Sequence, residues 1–246
     1  ESAVWPMKYC VVYGSPRKRN TYRAVQVLKE RLEALGEAEF TELFLPRDMP
    51  APCAGCFACF EKGEEKCPHF EYVGRAERAM LEADGLIFAT PVYVLEMSGQ
   101  MKSFLDHFGY LFMPHRPRPE MFRKAAAVVS TTAGAGTRYA MKGIARSLSF
   151  WGVGRIYRCG VTMFAGSWDE MPQKRREKYE RALRKTADRL YRSLRRKDDP
   201  SWKVKGLFFI MKYAVFHAAE NLLDQGYWRE QGWVGGGKPW KQSKGK

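Results

Sequence analysis

The chain has 246 residues, 45% of them apolar, and a formal net charge of +15. This suits one α/β domain with an appendage and a sizeable core. No run of 18 or more apolar residues occurs, which excludes a transmembrane helix, and Glu1 to Pro6 lack the features of a signal peptide, so the expected compartment is the cytoplasm.

Met7 to Tyr13 (MKYCVVY) predicts a buried strand closed by Gly14. Asn20 or Thr21 can cap a helix reaching about Leu35, with Val25, Leu28, Leu32 and Leu35 as its apolar stripe and Gly36 as its stop. Phe40 to Leu45 predicts a second strand. The segment 50–68 follows, where Pro50, Pro52, Gly55 and Gly63 argue against regular structure. Glu71 to Ala83 is helical in pattern. Gly85 to Thr90 predicts a third buried strand, stopped by Pro91, and Ser98 can cap a helix bearing Met101, Phe104, Leu105 and Phe108. Lys124 to Thr131 is a fourth strand, Thr137 opens a helix, and Ile156 to Met163 is a fifth strand. A long helix runs from about Asp169 to Lys197, with its arginines solvated and Tyr179, Leu183, Leu190 and Leu194 suited to packing on the sheet. Beyond Pro200, Gly206 to Ala219 is apolar and helix-compatible but too short to span a bilayer. Gly235 to Lys246 is Gly/Lys-rich and predicts a mobile tail.

Five strands alternating with helices imply βαβ crossovers and a mostly parallel sheet covered on both faces. The expected division is a doubly wound domain over 1–198 and a basic, aromatic extension over 199–246. Ligands in such sheets bind at the carboxyl ends of the strands, which directs attention to loops 14–21, 46–70, 91–97 and 131–137.

Loop 14–21 (GSPRKRNT) offers hydroxyls at Ser15 and Thr21, cations at Arg17, Lys18 and Arg19, and the amide of Asn20, all opening onto a helix N-terminus. Free N–H groups and the helix dipole favour a dianionic phosphate there. The pattern is neither a Walker loop nor the usual dinucleotide turn; the bland alternative is an ordinary strand–helix turn.

The second feature is Cys53, Cys56, Cys59 and Cys67, spaced C-x2-C-x2-C-x7-C and closed by Pro68. In a reducing compartment such a cluster serves metal or redox chemistry more often than disulfides. Three readings stand side by side. Overlapping C-x2-C steps with a fourth thiol further along fit a cubane iron–sulfur cluster. Zinc usually takes two separated knuckles. The third reading is a reduced thiol loop without metal.

Gly14-Ser15-Pro16-Arg17-Lys18 with Asn20-Thr21 resembles the FMN phosphate loop of the flavodoxin-like NADPH-dependent FMN reductase superfamily. Ala83 to Ile87 through Pro91-Val92-Tyr93 resembles its second flavin loop, and Gln100, Lys102, Phe104 and Asp106 match the helix that follows. The cysteine run resembles the compact motif of the iron–sulfur flavoproteins in that superfamily. The resemblance covers about residues 7 to 163. It implies a flavodoxin-like doubly wound five-stranded parallel sheet in order 2-1-3-4-5, with a C-terminal helical extension and a homo-oligomer. It also implies roles by position. Ser15, Arg17, Lys18, Asn20 and Thr21 would hold the FMN phosphate; Pro91, Val92 and Tyr93 would line the isoalloxazine. Thr131, Thr132, Gly134 and Gly136 would pass its other edge, and Cys53, Cys56, Cys59 and Cys67 would hold a [4Fe–4S] cluster. The cysteine loop is expected on the same rim as the flavin.

The expected function is an FMN-dependent oxidoreductase that moves electrons from NAD(P)H or a protein donor to a small-molecule or redox-protein acceptor. The alternatives are a non-enzymatic electron carrier and a membrane-surface binding protein on the same scaffold. Residues 170–246 carry 20 Lys/Arg against 9 Asp/Glu, a field that suits anionic partners and makes peripheral membrane contact an option. No nucleic-acid module is recognisable. His107 and His115 read as packing residues rather than acids or bases, and Tyr93 and Tyr139 as packed aromatics. The tail 226–233 reads as a packing or subunit-contact element.

Overall fold

Residues 6–217 and 221–241 are described by the computed structural model. Five short apolar runs form strands β1 (Met7–Tyr13), β2 (Ala38–Phe44), β3 (Gly85–Tyr93), β5 (Ala125–Thr132) and β6 (Arg155–Thr162). All pair in parallel in the order β2-β1-β3-β5-β6. A two-residue strand, β4 (Glu96–Met97), pairs antiparallel with the end of β3. The flavodoxin-like order expected from the resemblance is thus the observed one.

The period-two alternation of β1 sends its side chains into two cores. Tyr9, Val11 and Tyr13 face a core built with α1 (Asn20–Glu33) and α6 (Gln173–Arg195). Cys10 and Val12 face the other, built with α3 (Phe70–Glu82), α4 (Gly99–His107) and α5 (Thr137–Phe150). Leu183 and Leu190 of α6 are fully buried, so its apolar stripe packs as expected.

Segment 50–68, expected without regular structure, holds the short helix Ala58–Glu61 and a 3-10 turn at Glu64–Lys66, and three of the element ends that differ from expectation have a local reason. Pro91 does not stop β3, which continues to Tyr93. Pairing with β1 ends at Ala89, while pairing with β5 runs on to Pro91. Beyond Ala89 one edge of β3 is therefore open, and a proline without an N–H is tolerated there. The long helix starts at Gln173, not near Asp169, because Pro172 takes the N-cap position and disfavours helix in the residue before it. Neither Asn20 nor Thr21 caps α1: Arg19 is the N-cap residue, and no side chain caps it.

The extension forms α7 (Trp202–His217) and α8 (Leu222–Glu230). Phe208, Trp228, Trp233 and Trp240 build a third core together with Met113 and Phe122 of the preceding domain. Phe208 stacks on Trp228 at 5.1 Å, and Phe122 meets Phe208 edge-on at 5.6 Å, the arrangements aromatic quadrupoles favour. The expected mobile tail is packed as far as Lys241, because Trp240 is buried and Arg123 donates to its carbonyl at 3.1 Å; residues 242–246 lie outside the described residues. α7 is apolar on both sides, with Val204, Phe208 and Val215 inward and Trp202, Phe209, Ile210 and Tyr213 exposed. Among the described residues no helix is long and apolar enough to cross a membrane.

Phe122 is fully buried and joins the domain to the extension. Phe122→Ala is expected to cost about 3–5 kcal/mol, the usual range for an emptied aromatic site, measured as a lowered midpoint in urea unfolding.

Candidate functional site

The carboxyl ends of β1, β3 and β5 meet at one junction. Gly14 follows β1, and a Cβ there would stand 2.7 Å from Ser98 Oγ and 3.1 Å from Thr90 Oγ1, so only glycine fits this approach. Ser98 Oγ donates to the Gly14 carbonyl at 2.6 Å and accepts from the Met101 N–H at 3.2 Å. One hydroxyl therefore caps α4, as expected, and pins the loop after β1 to it. Thr90 Oγ1 accepts from the Ser98 N–H at 3.0 Å.

Beyond Gly14 the loop turns on Ser15, whose Oγ accepts from the Arg17 N–H at 3.2 Å. Arg17, Lys18 and Arg19 are exposed, with the Lys18 ammonium 5.4 Å from the ring centres of both Tyr22 and Phe44. The first turn of α1 holds no acidic residue, and no side chain caps it. An uncapped helix start ringed by cations attracts an anion through its free N–H groups and its dipole. Thr21 is buried, its Oγ1 2.7 Å from Thr131 Oγ1, which ties the start of α1 to the end of β5.

The loop after β5 packs on the β3–β4 turn. Gly136 has φ +106°, and a Cβ there would stand 2.7 Å from Val92 Cγ1 and 2.9 Å from Leu95 Cα. Thr132 folds this loop, donating to the Ala135 carbonyl at 3.0 Å and accepting from the Gly134 N–H at 3.2 Å. A Cβ on Gly134 would meet nothing within 4 Å, so its backbone is open to an approaching group. The β3–β4 turn has positive φ at Val94 (48°) and Leu95 (65°). Such a turn normally takes Asn-Gly, and a β-branched residue in it is strained. Tyr93 is 45% exposed and Tyr139 57%, so both point outward instead of packing inside as expected.

The cysteines gather elsewhere. Cys53, Cys56, Cys59 and Cys67 line one cavity of about 190 Å³ with His69 and His107. All four are free thiols. Burial, together with the neighbouring Cys67 and Cys53, pushes the Cys59 thiol up to about 11, and burial also raises Cys67. Such thiols lose their protons to a metal rather than to neutral water. Among the described residues no three His, Cys, Asp or Glu side chains stand close enough together to hold a single metal ion. His107 is buried as expected, and burial holds its pKa down. Its Nδ1 lies 2.9 Å from the Ser103 carbonyl. A carbonyl only accepts, so Nδ1 carries the proton and Nε2 accepts from His69 Nδ1 at 3.0 Å.

The cavity is walled by Asp106 and His107 at the end of α4, whereas Gly14 and Thr90 meet Ser98 at its start. Nine residues of helix separate the two ends, about 13 Å at the usual rise. The cysteine cavity thus lies at the end of α4, and the loop after β1 at its start.

The sequence profile of the NADPH-dependent FMN reductases matches residues 7–158. The chain belongs to this family. It is a flavin oxidoreductase that uses reduced nicotinamide. An iron–sulfur flavoprotein of Archaeoglobus fulgidus is 26% identical over 93% of this chain and all of that one. A second from the same organism is 34% identical over 54% of this chain and 64% of its own length. The solved NAD(P)H:quinone oxidoreductase of Methanothermobacter marburgensis superposes with a TM-score of 0.58 at 17% identity, over 76% of this chain and 98% of that one, a likeness of fold.

At this reductase's rim the loop after β6 carries no sequence signal, and Asn20 and Ser98 make ties that their sequence does not show. Asn20 donates to the Gly166 carbonyl at 3.1 Å and accepts from the Trp168 N–H at 2.8 Å. It braces the loop after β6, where Phe164 is 67% exposed at φ +52°. No motif marks that loop; only its place after the fifth strand could have flagged it. Ser98 was legible as a cap but not as the tie to Gly14. Ser98→Ala would leave the Gly14 carbonyl and the Met101 N–H unpaired in a buried place. A loss of about 1–3 kcal/mol is expected, read as a drop in chemical stability with the far-UV spectrum unchanged.

Proposed function

We propose that FMN binds across the carboxyl ends of β1, β3 and β5, in a reductase that passes electrons from NAD(P)H to a small-molecule or redox-protein acceptor. The observation that carries this is the convergence of three loops on an uncapped helix start that holds three cations and no acid. Ser15, Thr21, Arg17 and Lys18 would hold the phosphate, with Asn20 fixing the neighbouring loop. Pro91, Val92 and Tyr93 would line one side of the isoalloxazine, and Thr131, Thr132, Gly134 and Gly136 the other, where small residues admit backbone N–H groups. When bound, FMN accepts a hydride from the nicotinamide and can release electrons singly or in pairs. The chain's own contribution is to hold the phosphate by charge, to close the ring between two packed loops and to set its surroundings. No side chain at this rim stands as an acid or base.

The four thiols support a second centre. They line one cavity, and their overlapping C-x2-C steps with a fourth thiol further along suit a [4Fe–4S] body better than zinc, which usually takes two separated knuckles. Such a cluster would exchange single electrons. The exposed outer face of α7 supports a homo-oligomer in which that face is covered.

Arg17→Gln is expected to weaken FMN binding roughly tenfold by removing a charged partner of the phosphate. Riboflavin, which has no phosphate, should bind the variant and the wild type alike. Equal losses for both ligands would place the phosphate elsewhere. Anaerobic reconstitution with iron and sulfide should give about four irons per chain and a broad visible band, both lost in Cys67→Ser. Wild-type protein that retains FMN but no iron would remove the cluster.

A further inference from the structure

The cysteine loop is gripped from outside by side chains that neither line its cavity nor reach the flavin loops. Its short helix α2 (Ala58–Glu61) is four residues long. A single turn cannot hold itself, and the last carbonyls of any helix need outside donors. Two such donors arrive. Arg116, only 3% exposed, donates to the Cys59 carbonyl, to the Asp224 carboxylate and to Glu64 Oε2 at 3.1 Å. Asn221 donates its side-chain N–H to the Phe60 carbonyl at 3.0 Å, while its Oδ1 caps α8 by accepting from the Leu223 and Asp224 N–H groups.

The knot sets two arginines against three carboxylates and ties the extension, the loop after α4 and α3 to the cysteine loop. Asp224 and Glu64 balance Arg116, and Arg118 binds Glu64 and, at 2.7 Å, Glu77. Burial alone would raise the Glu64 carboxyl, but the Arg118 hydrogen bond and charge, with the nearby Arg116, hold it below the usual range. His115 Nδ1 lies 2.7 Å from the other oxygen of Asp224, and its ring packs 4.5 Å from that of Phe60. Asp224 and Asn221 belong to the extension, Arg116 and Arg118 to the loop after α4, and Cys59, Phe60 and Glu64 to the cysteine loop.

We propose that Arg116 and Asn221 are positioning residues that lock the cysteine loop against α8, so that the C-terminal extension is a working part of the cysteine site. The lock acts on the backbone of Cys59 and Phe60 and fixes which way the thiols face. Its bearing on metal retention rests on the cluster proposed above; its effect on the loop does not. Among the described residues the hydrogen bonds of this knot run to the cysteine loop, α3 and α8 and not to the loops after β1, β3 or β5, so the proposed lock predicts no change in FMN content.

The test begins with reduced, iron-free, FMN-loaded protein treated with iodoacetamide, the rate at each cysteine being read by mass spectrometry. In the wild type, exposed Cys53 and Cys56 react ahead of the half-buried Cys59 and Cys67. Asn221→Asp keeps a good N-cap for α8 but removes the donor to Phe60, and Arg116→Lys keeps the charge but loses the fork that serves three acceptors. Each should speed Cys59 about fivefold, the factor one net hydrogen bond sets in a local opening equilibrium. Cys10 and Cys159 should stay protected, and FMN should stay at the wild-type ratio. After reconstitution with iron and sulfide, both variants should lose iron to a chelator faster than the wild type and show a changed resonance signal in the reduced state. An unchanged Cys59 rate in Asn221→Asp overturns the lock, whether or not Arg116→Lys folds. If wild-type protein takes up no iron, the cluster fails and the alkylation rates still decide the lock.

Discussion

One hydrogen bond orders the flavin rim, that of the Ser98 hydroxyl to the Gly14 carbonyl. It forms only because residue 14 has no Cβ, and it fixes where the loop after β1 leaves the sheet. From that fixed exit Ser15 starts the turn and α1 begins with its N–H groups free. Thr21 then reaches Thr131, and the loop after β5 closes onto the β3–β4 turn through Gly136. Each link is a short contact between small polar or glycine residues, whose geometry is set by packing beneath them. The shape of the rim is thus set by contacts within the chain, above the sheet.

Much of this was legible in the chain. The strands are apolar runs closed by glycine, proline or polar clusters, and their alternation with helices leaves one economical topology. Gly14, Ser15 and Thr21 stood out because hydroxyls, cations and a helix start fall together in one short loop. What could not be read is what a side chain does once a neighbour competes for it. Asn20 looked like a cap, yet the Gly166 carbonyl and the Trp168 N–H take both ends of its amide. Pro91 looked like a strand stop, yet β1 ends before it and leaves an open edge. Val94 and Leu95 gave no sign of their positive φ, because nothing in their chemistry favours it. Strain of this kind is held by surrounding structure, here the packing of Gly136 against Val92 and Leu95.

The extension was the least legible segment. Its aromatic content signalled burial but not against what, and its glycines and lysines signalled mobility. The structure resolves both in one core: Trp228, Trp233 and Trp240 close around Phe208 and Phe122. Large aromatic side chains each bury so much area that a few of them stabilise a short segment with little regular structure. Buried charge then adds direction to that anchoring, because Arg116 between Asp224, Glu64 and a carbonyl can be satisfied in only one arrangement of three segments.

The separation of the two candidate centres follows from strand order. In a sheet ordered β2-β1-β3-β5-β6 the chain reverses direction of growth between β1 and β3, and the crevice that admits a ligand opens there. The loops after β1, β3 and β5 border that crevice. β2 lies at the sheet edge, so the loop that follows it starts one strand away from the crevice. Between β2 and α3, which shares a core with α4, the chain meets the end of α4 at Asp106 and His107. Nearness along the chain between the phosphate loop and the cysteines therefore says little about nearness in space. α4 runs from Ser98 beside Gly14 to Asp106 and His107 at the cysteine cavity, and its core side carries Phe104 and, just past its end, Phe108 with ring centres 4.8 Å apart.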